Sequence, residues 1–125
     1  MQNIRLGALA LMTILLTALS AVAYADNILV EKDIAYGAAP RQKLDIYAPQ
    51  GLKALKPVLI FIHGGGWSLG TALAYAPLAR WLSVELNMRV LVPDFPQAPE
   101  EEAPAALNAL SELLVWASER FKTKL

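Results

Sequence analysis

His63-Gly64-Gly65-Gly66-Trp67 is the one stretch of the chain whose residue types and order carry specific chemistry. Consecutive glycines have no Cβ, take positive φ without penalty and let backbone N–H groups come close to a bound group. A loop of this kind suits hydrogen-bond donation to an oxyanion, the charged oxygen formed when an acyl carbonyl is attacked. Losing one such donor costs about 3 to 4 kcal/mol of transition-state stabilisation. A plain turn explains the glycines equally well, and residue types alone leave both readings open. Trp67, directly after them, suits the wall of an acyl or alcohol pocket, or simple core packing.

Other chemistries find little support. His63 is the single histidine of the chain. Beyond the N-terminal apolar run, Ser68, Ser83, Ser111 and Ser118 fall in a loop or on expected helices. None lies in a G-x-S-x-G turn, the strained strand-to-helix corner that exposes an activated serine. Asp45 and Asp94 read as edge and turn residues. One histidine without paired carboxylates gives no metal site, and no cofactor motif is present, so neither metal nor cofactor is expected. The absence of cysteine rules out disulfides, a thiolate site and a lipidated N-terminus. Eleven Lys and Arg balance eleven Asp and Glu, and no basic stripe marks a nucleic-acid or anionic-lipid surface.

The elements around the glycine loop follow from periodicity. Residues 27–36 alternate apolar and polar (Ile28, Val30, Ile34, Tyr36), and residues 43–47 do so again, with Leu44 and Ile46 on one face and Asp45 and Tyr47 on the other. The pair predicts an antiparallel edge with one wet side. Val58 to Ile62 is instead an unbroken apolar run between Pro57 and His63. That is the pattern of a strand buried on both faces, central to its sheet. A helix is expected over 76–86, with Leu78, Leu82 and either Trp81 or Glu85 on its core face. A short strand follows at 89–92, then a helix over about 104–121 with a core face of Leu107, Leu110, Leu114 and Ala117. Pro104 fits its first turn, and Glu100, Glu101 and Glu102 place negative charge near its N-terminus. Core packing is expected of Trp81 and Trp116.

Residues 1–25 read as a signal peptide. Arg5 supplies the positive start, Ala8 to Val22 the apolar run and Ala23-Tyr24-Ala25 the small-residue cleavage site. The mature chain then begins at Asp26 and is exported, to the periplasm or beyond the cell. The rival reading is an uncleaved anchor, since about 20 uncharged residues can just span a bilayer. Membrane contact is expected only through this leader.

Three blocks resemble the α/β-hydrolase esterases of the hormone-sensitive-lipase and feruloyl-esterase-like groups. Leu44-Asp45-Ile46-Tyr47-Ala48-Pro49 resembles their second strand, and His63-Gly64-Gly65-Gly66-Trp67 follows the buried strand as their HGGG loop does. Asp94-Phe95-Pro96-Gln97-Ala98-Pro99-Glu100, then Pro104-Ala105-Ala106-Leu107 and Trp116, resemble their D-Y-R-L-A-P-E block and the helix after it. The resemblance implies an α/β fold, the N-terminal portion of an α/β-hydrolase sheet over residues 26–125. Antiparallel first strands would be followed by strand-helix-strand-helix, in an incomplete domain. It further implies that N–H groups of Gly64, Gly65 and Gly66 form an oxyanion hole for a small-molecule ester, with His63 and Trp67 shaping the loop. The chain departs from the pattern at Pro96-Gln97, where the family has Arg-Leu, and at Ala109, where its helix often has aspartate. The family's G-x-S-x-G comes after the last helix seen here, so no catalytic residue is assigned within this chain. The expectation is a secreted carboxylic-ester hydrolase fragment, inactive by itself. The alternative is a non-catalytic exported remnant or binding module.

Overall fold

The computed structural model describes residues 27–53 and 56–122, so the leader assigned to 1–25 lies outside the described residues. The elements run β1 (Ile28–Ala35), β2 (Lys43–Pro49), β3 (Val58–Ile60), a 3-10 turn (Ala72–Tyr75), α1 (Ala76–Glu85), β4 (Arg89–Pro93) and α2 (Ala103–Phe121). The strands form a four-stranded sheet in the order β1-β2-β4-β3. β1 and β4 pair antiparallel with β2, while β3 and β4 run parallel, joined by α1 as a parallel pair requires. The antiparallel start, the strand-helix-strand-helix continuation and the α/β class are as the sequence indicates.

Helices cover both faces of the sheet. On one, Leu44, Ile46 and Leu91 pack with Tyr36, Phe95 and the α2 residues Ala106, Ala109, Leu113 and Ala117. On the other, Tyr47, Val90 and Val92 pack with Ile28, Ala72 and Ala79. β2 therefore has no wet side, contrary to the expectation from its alternation. Leu44, Asp45, Ile46 and Tyr47 are all buried, because β4 flanks the strand and helices cover both its faces. The buried Asp45 is satisfied locally. Its Oδ1 accepts from the Asp33 N–H at 3.1 Å, its Oδ2 accepts from the Tyr47 hydroxyl at 3.3 Å, and Lys32 Nζ lies 3.5 Å away. Burial, with the Asp45 charge beside it, pushes the Tyr47 hydroxyl up to about 12.

β3 is corrected too. It stands at the edge of the sheet, not its centre, and Val58, Leu59 and Ile60 are only half-buried. The following Phe61 still donates its N–H to Leu91 O at 2.8 Å. In both helices the core face is only partly as expected: Leu82 on α1 and Leu110 and Ala117 on α2 pack inward, and the other expected residues do not. α2 buries Ala106, Ala109, Leu113 and Ala117, with Leu110 half-buried, and leaves Leu107 and Leu114 exposed. One residue of offset turns the face by roughly 100° at 3.6 residues per turn, and the alanines let the helix lie close on the sheet. α1 buries Ala79 and Ser83 and leaves Leu78 and Trp81 exposed, so Trp81 is not a core residue, whereas half-buried Trp116 packs against the core. Ser83 spends its hydroxyl on Arg80 O at 2.8 Å. Pro104 falls in the first turn of α2, and Glu102 is its N-cap.

Because β3 and β4 are parallel neighbours, their C-terminal ends lie side by side. The glycine loop leaves one and the segment from Asp94 leaves the other. Loops at this end of a parallel pair are where ligands bind in open α/β sheets.

Candidate active site

The glycine loop wraps around His63. Its ring is buried between Tyr75, at 5.5 Å and 9° between planes, and Phe95, at 4.8 Å and 20°. Nδ1 lies 3.0 Å from Gly64 O. A carbonyl only accepts, so Nδ1 carries the proton. Nε2 is buried without a hydrogen-bond partner, 3.7 Å from Asp94 Oδ1, longer than a hydrogen bond. Enclosed in this way, His63 braces the loop and has no face free for proton transfer to a substrate.

The loop's path depends on missing side chains. Gly65 has φ +129°, and a Cβ there would stand 2.0 Å from Leu69 O. Its carbonyl accepts from Ser68 N at 3.2 Å and Leu69 N at 3.0 Å, which closes the turn. At Gly70, a Cβ would come within 2.6 Å of His63 Nδ1 and 2.8 Å of Gly64 O, the two atoms that bond the ring to the loop. Gly64, by contrast, has open space around it.

A second segment, 94–98, holds the loop from the outside. Asp94 Oδ1 accepts from Ala72 N at 2.8 Å, and its carbonyl accepts from the Tyr36 hydroxyl at 2.6 Å. Burial and the neighbouring carboxylates push the Tyr36 hydroxyl pKa well above its usual range. Ala98 N donates to Trp67 O at 2.9 Å, and Gln97 Nε2 to Leu69 O at 3.3 Å and Gly70 O at 3.4 Å. Sequence reasoning read Asp94 as a turn residue and Gln97 as a departure, and did not single out Gly70. Its signal was a fourth glycine closing the same loop.

What results is a cavity of about 260 Å³ lined by residues 62–67 with Leu69 and Phe95. Apart from His63, none of these side chains carries an ionisable group. Ile62, Trp67, Leu69 and Phe95 give an apolar wall, and Trp67, 45 % exposed, serves that wall and not the core. Among the described residues no acceptor takes the N–H groups of Gly64, Gly65 or Gly66. Unpaired donors beside a largely apolar hollow can hold a carbonyl oxygen and the charge it acquires. No serine of the described residues is paired with His63. Ser68 bonds Gly65 O, and Ser111 and Ser118 bond carbonyls of their own helix. Nor do the described residues group three potential metal ligands.

A strand, a glycine loop and a braced histidine at the open end of a mixed sheet define an α/β-hydrolase. Residues 59–124 match the alpha/beta hydrolase fold family, and the chain belongs to it. Ester hydrolases are among the curated relatives. The carboxylic ester hydrolase LipN of Mycobacterium tuberculosis is 41 % identical over 73 residues, 58 % of this chain and 19 % of that protein. The carboxylesterase NlhH of the same organism is 32 % identical over 89 residues, 71 % of this chain and 28 % of that protein. Among solved structures, esterase B of Lactobacillus rhamnosis superposes with a TM-score of 0.69 at 23 % identity, over 90 % of this chain and 38 % of that one. A bacterial heroin esterase gives 0.65 at 25 %, over 86 % of this chain and 36 % of that one. The chain thus spans between about a fifth and two fifths of the proteins it matches.

Proposed function

We propose that this chain furnishes the oxyanion-binding loop of an exported carboxylic ester hydrolase whose serine nucleophile and general base are not among the residues described here. The observation that carries the reading is the run of three glycine N–H groups without an acceptor among the described residues, opening on a largely apolar cavity. In this reading a small-molecule ester places its acyl carbonyl oxygen against the N–H groups of Gly64, Gly65 and Gly66. Its acyl or alcohol part lies along Ile62, Trp67, Leu69 and Phe95. Attack by a serine hydroxyl, its proton passing to the general base, makes the carbon tetrahedral and moves the carbonyl electron pair onto the oxygen. The donors bind that oxygen more tightly as it becomes charged, which lowers the barrier without any proton leaving the loop. His63 holds Gly64 O, and with it the peptide that carries the Gly65 N–H. Support for the ester class comes from the ester hydrolases among the relatives, and support for export from Arg5, the apolar run and Ala23-Tyr24-Ala25.

The test compares the 125-residue chain with the complete product of the gene that encodes it. Both are treated with a fluorophosphonate, which labels activated serines, and assayed on a chromogenic acetate ester. Labelling and saturable turnover by the complete product alone agree with the reading. Labelling of a serine within the 125-residue chain would overturn the residue assignment, and inertness of both would overturn the ester-hydrolase function.

A further inference from the structure

We propose that Gln97 is the positioning residue of the glycine loop, a carboxamide strap that fixes the direction of the Gly64–Gly66 N–H groups. Gln97 is 3 % exposed, and its Nε2 faces two backbone carbonyls, Leu69 O at 3.3 Å and Gly70 O at 3.4 Å, 28 and 27 residues away in sequence. An amide nitrogen has two hydrogens and no lone pair to accept with, so two converging carbonyls also settle which end of the carboxamide points at them. The next residue adds a third link, Ala98 N to Trp67 O at 2.9 Å. The strap therefore grips the loop at its middle, within the turn closed on Gly65 O, and at its exit.

Backbone strain shows why a strap is needed. Trp67 sits at φ +65°, in the left-handed region that a residue with a Cβ avoids, and it follows Gly65 and Gly66, both also at positive φ. Such a conformation persists only where its surroundings over-determine it. His63 holds the loop from inside through Gly64 O, and Leu69 N is tied to Gly65 O, but among the described residues no backbone N–H takes the carbonyls of Leu69 or Gly70. The Gln97 carboxamide does so from outside. Leucine here would leave both carbonyls facing a hydrocarbon, and glutamate would set a carboxylate against them.

The inference takes its functional meaning from the oxyanion reading of the loop, but its test reads loop order whether or not an ester is hydrolysed. Amide hydrogen exchange of the full chain is followed by NMR in the wild type, Gln97→Met and Gln97→Glu. Methionine keeps the length and removes the donor, and it should speed exchange at Ser68 and Leu69 by about ten-fold or more while β2 and β4 amides stay as in the wild type. Glutamate should speed it further at neutral pH. As the pH falls, its carboxyl, raised above the ordinary value of about 4.3 by burial against carbonyls, takes up a proton, regains one donor and restores protection in part. Wild-type exchange in both variants would overturn the proposal. So would exchange that rises equally in the loop and the core, or a glutamate variant without recovery at low pH. Any of these would leave the fluorophosphonate test of the ester-hydrolase reading unaffected.

Discussion

Substituting Gly65 by alanine tests the loop geometry directly. At φ +129° the added Cβ would stand 2.0 Å from Leu69 O and 2.6 Å from Leu69 C, both backbone atoms that no rotamer change can move aside. Relief requires the turn to open by more than 1 Å, roughly the shortfall from ordinary contact, and so to give up the bonds from Ser68 N and Leu69 N to Gly65 O. Two hydrogen bonds at about 1 kcal/mol net each set the cost of opening near 2 kcal/mol. Keeping the turn closed instead would store about 1 to 3 kcal/mol of backbone strain besides the clash. Either way Gly65→Ala should lose about 2 kcal/mol, some 8 to 16 °C in Tm for a domain of this size. Gly64→Ala is the matched control, with no heavy atom within 4 Å and no positive φ; it should stay within about 0.5 kcal/mol of the wild type. Urea unfolding followed by far-UV circular dichroism, with thermal scans beside it, measures both. Equal stability of the two variants would refute the placement of the turn, and with it the claim that glycine is required at Gly65 and not at Gly64.

Three further outcomes are expected. Leu113→Ala, at a fully buried site on α2, should cost about 2 to 5 kcal/mol, whereas Leu114→Ala on the exposed side should change stability by less than about 0.5 kcal/mol; the same unfolding experiment ranks them. The hydroxyls of Tyr47, raised to about 12, and Tyr36, raised further, favour the folded state while protonated. Their contribution is whole below the ordinary tyrosine value near 10 and is lost as the pH climbs through the folded values. Tyr47→Phe should therefore flatten the fall in stability between pH 10 and 12. The unpaired edge of β3, with Ile62 half in water beyond it, should make the 125-residue chain self-associate. Ile62→Lys should raise the monomer fraction in analytical ultracentrifugation.

The parts legible in the sequence were those set by local rules. Alternation gave the antiparallel β1 and β2, Pro104 marked the first turn of α2, and a glycine run after an apolar strand located the loop. Helix phase was harder, because α2 carries leucines on more than one side. Counting large side chains selected Leu107 and Leu114 beside Leu110 and Ala117, while the sheet chose the face where Ala106 and Ala109 allow close approach and Leu113 is buried. Asp45 and Tyr47 read as a wet face because burial of a carboxylate depends on Lys32 and Asp33 folding back on it, and no local pattern encodes that. Gln97 stood out only as a residue where the family has another. Its partners, Leu69 O and Gly70 O, become visible once β3 and β4 lie parallel and their trailing loops meet.

The two disagreements about burial point the same way. Leu107, Leu114 and Val115 on α2 are 56, 45 and 58 % exposed, and the apolar run from Val58 ends with Ile62 at 51 %. A helix with apolar residues beyond one stripe, and a strand apolar at every position, are patterned for burial on more sides than this sheet offers. Patterning and structure are reconciled if these residues meet further sheet and helix. That supports the proposal that the loop works within a larger hydrolase. It also gives the strap a role in either setting. Inside a larger protein, neighbours at the β3 edge would order the strand, while Gln97 already donates to the carbonyls of Leu69 and Gly70. Among the described residues, those that would set the direction of the glycine N–H groups are His63 inside the loop, Gln97 and Ala98 outside it, and Asp94 joining the segment to the start of the 3-10 turn.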